Sequence, residues 1–186
     1  MNCHGVYEMP EKDLGSDLVP GGSIGIVLDF CNRHSLTAYR SSPAWDNSQT
    51  MRVLSEVADA MTHVHGSNVL HRDIKAANVL IRSKIGEREG TVEAVLGDFD
   101  RALSDVNGKN LKGSNVGTLT HMAPELLASE PYNSKIDVYA YGILAYEVIT
   151  GRMPYAGLMA SGVPGSLSRR EFSLRVMEDG LRPPLS

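Results

Sequence analysis

The sequence predicts an α+β domain that is mainly α-helical, with a small β-hairpin and one further strand before the helices. Three observations predict this class. Residues 47–65 carry apolar side chains at helical spacing, residues 133–150 are apolar nearly all round, and short β-branched runs at 79–82 and 92–96 flank a polar segment. With 186 residues, of which 42% are hydrophobic, the chain can bury one core.

The first predicted elements are a strand and a helix. Residues 23–30 form a β-branched apolar run after a Pro-Gly-Gly turn signal, and we expect a buried strand there. The helix at 47–65 places charged residues on the side opposite its apolar face and ends at Gly66. Its apolar face consists of Val53, Leu54, Val57, Ala58, Met61 and Val64.

The remaining elements follow in order along the chain. The runs at 79–82 and 92–96 predict the two strands of a hairpin with an elongated tip. Residues 100–121 are polar and rich in Gly, Ser and Asn, which predicts a mobile loop. Residues 133–150, closed by Gly151, predict a helix buried at the centre of the helical part, and 172–178 predict a last short helix.

Composition excludes several function classes. The net charge of -4, with Lys and Arg scattered along the chain, gives no footprint for nucleic acid. Cys3 and Cys31 lack metal-ligand spacing, so we expect ordinary reduced thiols and a cytosolic protein. No signal-peptide core and no uninterrupted apolar run long enough for a bilayer is present, so we expect no membrane partner.

Four polar residues in two short segments suit phosphoryl transfer. That reaction needs a group that accepts the proton of a hydroxyl nucleophile and charges that neutralise the transferred oxygens. Asp73 can accept the proton, Lys75 can face the developing charge, and Asn78 with Asp98 can hold Mg²⁺ through hard oxygen ligands. Taken alone, Asp73 would be an ordinary loop carboxylate and Asp98 a turn residue after a strand.

Three motifs in sequence order resemble those of eukaryotic protein kinases. The catalytic-loop motif reads HRDIKAANVL from His71 to Leu80, Gly97-Asp98-Phe99 follows, and Met122-Ala123-Pro124-Glu125 resembles the end of the activation segment. Their combination disfavours the alternative of an unrelated α/β domain. The resemblance implies a protein kinase-like fold, ATP and Mg²⁺ as cofactors, and a protein partner that offers a hydroxyl as substrate.

The same resemblance implies finer roles. Lys75 follows the serine/threonine-kinase pattern, and Thr118 is expected to bridge towards Asp73. Arg72 before Asp73 is typical of kinases whose activation loop is ordered by phosphorylation. Candidate hydroxyls for that modification are Ser104, Ser114, Thr118 and Thr120, although an unmodified loop residue is the favoured interpretation of each one.

Residues 28–31 resemble the hinge strand of protein kinases. This resemblance implies that the backbone of Asp29 and Cys31 contacts adenine, that Leu28 is the gatekeeper and that Leu80 lies beneath the adenine ring. A plain core strand is the alternative, because an apolar strand that ends in an acid is common.

Asp137 lies in the most apolar predicted helix. An unpaired carboxylate there would cost several kcal/mol, so we expect it to accept hydrogen bonds from backbone N–H groups. The resemblance identifies these groups as the backbone of the catalytic loop. His65 and His71 are interpreted as packing and hydrogen-bonding residues rather than as acid or metal groups.

Some family features are absent from the sequence. We find no Gly-x-Gly-x-x-Gly loop and no strand lysine with a glutamate partner, and Asp100 stands where the family motif has glycine. Because aspartate tolerates a left-handed backbone, metal binding through Asp98 can survive that change. The resemblance thus predicts a kinase domain truncated at both ends, with a small-lobe remnant and hinge strand at 1–30 and the C-lobe at 31–186.

Two function classes follow from these features. The first is a protein serine/threonine kinase domain that transfers the ATP γ-phosphoryl group with Asp73 as base, and this chain alone is expected to be inactive. The alternative is a pseudokinase-like binding module that regulates a protein partner without transferring phosphate.

Overall fold

The computed structural model describes residues 3–8, 24–84, 86, 90–104, 111, 116–159 and 165–185. These residues form two antiparallel hairpins and a set of helices, with three single 3₁₀ turns between them. The strands are β1 (Cys3–Glu8), β2 (Ile24–Leu28), β3 (Val79–Ser83) and β4 (Val92–Leu96). The helices are α1 (Leu36–Arg40), α2 (Thr50–Gly66), α3 (Pro124–Leu127), α4 (Lys135–Thr150) and α5 (Arg169–Met177).

The first hairpin, β1 with β2, corrects one expectation. The strand at 23–30 was expected to be buried, but Ile24 and Ile26 are 72% and 66% exposed. The reason is that β2 pairs only with β1 among the described strands, with Val6 opposite Ile26 and Tyr7 opposite Gly25. A two-stranded sheet buries little apolar surface unless another layer covers it. No pattern in the sequence predicted β1.

The second hairpin, β3 with β4, is confirmed. The strands pair from Val79 opposite Leu96 to Ser83 opposite Val92. Val79, Ile81 and Val92 are almost completely buried, because one face of this hairpin lies on α2 and on the catalytic loop. The hairpin therefore brings the residue before β3 and the residue after β4 to the same end.

The predicted long helices α2 and α4 are also confirmed, and they share the main hydrophobic core. Val53 and Val57 of α2 pack in one cluster with Leu144 and Val148 of α4 and with both strands of the second hairpin. Gly151 ends α4 in the left-handed conformation that glycine favours. Burial of α4 is less complete than its sequence suggested, since Val138 and Ile149 are exposed.

A second cluster joins α3, α4 and α5. Phe172 of α5 packs edge-on against Tyr155 with 4.8 Å between ring centroids, and Leu126 and Ile143 belong to the same cluster. The predicted helix at 172–178 begins earlier, at Arg169, because Ser168 caps it in a capping box with Glu171. Among the described helices, none combines the length and apolar character needed to cross a bilayer.

Candidate functional site

The site begins in the loop between α2 and β3. Apolar residues of this loop anchor it in the hydrophobic core. Ile74 and Ala76 are buried in the main core beside both long helices. Asp73 and Lys75 alternate with these anchors, so they project to the other side of the loop. A single 3₁₀ turn, Ala76–Asn78, then leads into β3.

The carboxylate of Asp73 is the centre of the site. Its Oδ2 accepts a hydrogen bond from Lys75 Nζ at 2.8 Å and one from Asn78 Nδ2 at 3.1 Å. Its Oδ1 accepts the hydroxyl of Thr118 at 2.8 Å, and Lys75 Nζ also donates to Thr118 Oγ1 at 2.9 Å. The predicted bridge from Thr118 is therefore present, and three of the four residues chosen for phosphoryl transfer meet here.

The hydrogen bonds around Asp73 determine the protonation state of its carboxyl group. Burial by itself raises the pKa of the Asp73 carboxyl, which is 5% exposed. The hydrogen bonds from Lys75, Thr118 and Asn78 and the charge of Lys75 outweigh burial and hold the pKa below its ordinary value. Asp73 is therefore an ionised proton acceptor at neutral pH.

Asp137 of α4 fixes the backbone of the same loop. Its two carboxylate oxygens accept the N–H of His71 at 2.9 Å and the N–H of Arg72 at 2.8 Å, which confirms the expected backbone contacts. His65 Nε2 also lies 2.9 Å from this carboxylate. Arg72 has a φ of 66°, so these bonds hold the residue before Asp73 in a backbone conformation that is uncommon outside glycine.

The segment after β4 is joined to the catalytic loop through Gly97. Its N–H donates to the carbonyl of Asn78 at 2.9 Å, and its carbonyl accepts from the His71 ring at 2.9 Å. The Phe99 ring packs on His71 with 4.8 Å between centroids. His71 is thus a buried hydrogen-bonding residue, as predicted.

The left-handed backbone in the segment after β4 lies at Asp98 and not at Asp100. The φ of Asp98 is 60°, whereas Asp100 does not have a positive φ. Asp100 therefore does not use the left-handed backbone that aspartate was expected to tolerate at this position. Because Asp98 lies between two anchored neighbours, Gly97 and Phe99, the backbone reverses there and leaves the Asp98 side chain exposed.

Asn78 and Asp98 offer the oxygen atoms that Mg²⁺ prefers. The amide nitrogen of Asn78 donates to the Asp73 carbonyl at 2.9 Å and to its carboxylate, while the amide oxygen has no partner in the described part of the chain. The carboxylate of Asp98 likewise has no hydrogen bond or ion pair with described residues. One amide and one carboxylate oxygen on adjoining segments fit a hard cation. No group of three or more His, Cys, Asp or Glu residues among those described could hold a metal.

The predicted adenine contacts lie along β3, which follows Asn78. Leu80 forms a backbone bridge with Ser35, and Arg33 N–H donates to the Ile81 carbonyl at 3.0 Å. Cys31 lies just before these bonds, and its own backbone N–H and carbonyl have no partner among the described residues. A free donor and acceptor beside a half-buried leucine fit a purine base. Leu28, the predicted gatekeeper, is 46% exposed.

Arg101 is a site residue that the sequence motifs did not predict. Its Nε lies 3.8 Å from Asp73 Oδ2, and its carbonyl accepts Arg72 Nε at 2.6 Å. A turn from Phe99 to Ala102 and a bridge from Leu103 to Leu70 hold it there. The only sequence signal was its position three residues after Asp98.

The candidate phosphorylation sites differ in accessibility. Thr118 is engaged with Asp73 and Lys75, and Thr120 Oγ1 lies 3.0 Å from His121 Nδ1. Ser104 is exposed, whereas Ser114 lies outside the described residues.

Gly117 allows the closest backbone approach in the site. Its φ is 117°, and a Cβ there would lie 2.6 Å from the Arg72 carbonyl oxygen. We expect Gly117→Ala to destabilise the fold by about 2 kcal/mol and to separate Thr118 from Asp73. The reason is that the backbone at Gly117 or at Arg72 would have to shift to make room for the Cβ. Urea unfolding measures the change. Gly142→Ala is the control, since a Cβ at this helical position meets nothing within 4 Å and should be neutral or stabilising. Equal stability of the two variants would contradict the assignment.

His121 makes stability depend on pH. Burial lowers the pKa of its imidazole from 6.5 to about 4, and its Nε2 has no hydrogen bond to any described residue, although Glu147 lies 3.9 Å away. The unfolded chain therefore binds more protons between these values, so stability is lost as pH falls from 6.5 towards 4. We expect the protonation of His121 in the unfolded chain to lower the free energy of unfolding by about 2 kcal/mol between pH 7 and pH 4.5. Urea unfolding of the wild type and of His121→Gln at both pH values isolates the effect, and equal losses would refute it.

Comparison with known proteins agrees with the motifs. The family model of the protein kinase domain matches residues 13–170. The probable serine/threonine-protein kinase gdt4 of Dictyostelium discoideum is 33% identical over 142 residues, which cover 75% of this chain and 9% of that protein. Serine/threonine-protein kinase ppk11 of Schizosaccharomyces pombe is 34% identical over 169 residues, or 85% of this chain and 51% of that protein.

A bacterial relative shows the same similarity. Serine/threonine-protein kinase PkaA of Streptomyces coelicolor is 35% identical over 142 residues, which cover 75% of this chain and 25% of that protein. The chain thus spans about half or less of the length of these relatives. Because the family match covers most of the sequence and includes both the catalytic loop and the segment after β4, the chain belongs to the protein kinase family.

Proposed function

We propose that this chain is the catalytic part of a protein serine/threonine kinase, which transfers the γ-phosphoryl group of ATP to a protein hydroxyl. The observation that carries the proposal is the arrangement around Asp73, an ionised carboxylate held by Lys75, Thr118 and Asn78 within 3.1 Å. General-base and electrostatic roles need this combination of a fixed acceptor and an adjacent cation. The serine/threonine kinases among the relatives support the same substrate class.

The residues of the site divide the chemistry among them. Asp73 accepts the proton of the substrate hydroxyl, and the bond from Thr118 keeps its carboxylate oriented. Lys75 lies 2.8 Å from Asp73 and is available to the transferred oxygens, where a positive charge is most useful. Asn78 and Asp98 would hold Mg²⁺, which when bound neutralises phosphate charge. Asp29 and Cys31 would bind adenine through the backbone, with Leu80 beneath it.

The second candidate function is a pseudokinase-like module that binds a regulatory partner. The observation behind it concerns these 186 residues taken alone: they contain no Gly-rich phosphate loop and no strand lysine with a glutamate partner. Those groups orient ATP phosphates, and losing even one electrostatic contact of this kind costs about 10² to 10³ in rate. We therefore expect the 186 residues by themselves to transfer phosphate far more slowly than the roughly 1 to 100 s⁻¹ of kinases.

Nucleotide binding tests the proposal without requiring turnover. Asp98→Asn should weaken the binding of Mg²⁺-ATP about tenfold or more and leave adenosine binding unchanged, because it removes a metal ligand but no base contact. Isothermal titration of both ligands measures this. Asp100→Asn is the matched control, since Asp100 is also exposed, lies two residues away and has no assigned ligand. If both variants bind Mg²⁺-ATP equally well, Asp98 is not a metal ligand.

A further inference from the structure

We infer that Arg82 is a positioning residue that fixes the hinge for adenine, an inference that rests on the proposed nucleotide site. Arg82 lies on β3, two residues after Leu80, so both side chains project from the same face of that strand. Its Nη1 lies 2.8 Å from Asp29 Oδ2, and Asp29 is one of the two proposed hinge residues. No motif of the sequence indicated this ion pair.

The guanidinium of Arg82 is itself held in place. Glu93 stands directly opposite Arg82 across the β3–β4 pair and forms an ion pair with it. Residues of opposite charge that stand directly opposite each other on paired strands stabilise the hairpin. The Arg82 side chain is about one-third exposed, so solvent screens it only in part. The Arg82 side chain is thus fixed on the second hairpin and extends towards the hinge.

Asp29 connects the Arg82 side chain to the first hairpin. Its other carboxylate oxygen lies 2.6 Å from His4 Nε2 on β1, and the carboxylate is only 15% exposed. Through Asp29, the ion pair therefore links the hinge to both hairpins.

A second anchor holds the other end of the hinge. Ser83 N–H donates to Asn32 Oδ1 at 2.9 Å, and Ile81 N–H donates to the His34 carbonyl at 2.8 Å. Cys31, whose backbone groups are free among the described residues, lies between the two anchors. Fixing both ends orders the segment before a ligand arrives, and pre-ordering raises affinity by reducing the entropy lost on binding.

Loss of the Arg82 ion pair should therefore weaken recognition of the base and not of the phosphates. We expect Arg82→Gln to raise the Kd of adenosine by about three- to fivefold, which is the range of a partly exposed ion pair. The Kd of Mg²⁺-ATP should rise by the same factor. A role that was only structural would lower the melting temperature without this equal effect on two ligands.

The experiment is a titration of adenosine and Mg²⁺-ATP into the wild-type chain and three variants. Lys84→Gln is the matched control, because it removes the same charge from the same end of the hairpin, where Lys84 lies 3.8 Å from Glu56 of α2. We expect its Kd values to stay within about twofold of the wild type. Asp29→Asn removes the other half of the ion pair and should reproduce the effect of Arg82→Gln, so it serves if that variant does not fold.

The outcomes separate this inference from the proposed function. If the wild-type chain binds neither ligand, the proposed nucleotide site is wrong and the inference falls with it. If the wild type binds but both Arg82→Gln and Asp29→Asn match Lys84→Gln, the nucleotide site stands and the positioning role is overturned. Weaker Mg²⁺-ATP binding with unchanged adenosine binding in Arg82→Gln would also overturn it, because Arg82 would then act on phosphates.

Discussion

Replacing Asp73 by Asn is expected to lower the rate of phosphoryl transfer by about 10² or more, the size of general-base and positioning effects. The fold should survive, because asparagine has the same shape and can still accept the hydrogen bond from Thr118. Lys75 would lose its ionic partner, and the hydroxyl of the substrate would lose its proton acceptor. The effect should appear in the chemical step and not in nucleotide affinity.

Single-turnover transfer of radiolabelled phosphate to a basic protein measures this effect even when transfer is slow. The matched control is Asp59→Asn on α2, which removes an exposed carboxylate and should leave the rate unchanged. Circular dichroism establishes that both variants are folded. Transfer at the wild-type rate by Asp73→Asn would exclude Asp73 as the base and favour the regulatory module.

Replacing Asp137 by Ala is expected to cost about 3 kcal/mol or more of unfolding free energy. The carboxylate is 1% exposed and accepts two backbone N–H groups and the ring of His65. Each buried donor left without an acceptor costs about 1 to 3 kcal/mol. The backbone at Arg72 would also lose the bonds that hold its positive φ.

Urea unfolding at pH 7 measures this loss for Asp137→Ala beside two comparison variants. Asp137→Asn keeps one acceptor oxygen and should lose less, and Asp59→Ala removes an exposed carboxylate and should change stability by under about 0.5 kcal/mol. A cost for Asp137→Ala no larger than that of Asp59→Ala would show that the loop does not depend on this carboxylate.

The elements with strong periodic patterns could be predicted from the sequence. The helices predicted at 47–65 and 133–150 correspond to α2 (Thr50–Gly66) and α4 (Lys135–Thr150), and the runs around the polar tip pair as β3 and β4. Each pattern reflects burial against a long partner surface, which is what periodicity reports. Asp73, Lys75 and Asn78 could be grouped because they lie within six residues of one another in one motif.

The parts that depend on distant contacts could not be predicted. The β1 strand and the short helix α1 have weak patterns, and β2 is exposed because its partner layer is a single strand. Arg101 reaches Asp73 only because the chain reverses at Asp98 and returns to Leu70. The pair between Asp29 and Arg82 joins residues that are 53 positions apart. The local spacing of residues in the sequence does not predict contacts between such distant residues.

The hydrogen bonds that Asp137 accepts should also limit how quickly the catalytic loop can open. The amides of His71 and Arg72 belong to a loop, yet their acceptor lies in the buried first turn of α4. We expect solvent to reach these hydrogens only when the loop and the helix separate, which would disturb the packing of α4. Their exchange should then follow global unfolding, while amides at the exposed end of the first hairpin should exchange through local fraying. We therefore expect the loop that carries Asp73 to be among the slowly opening parts of the backbone.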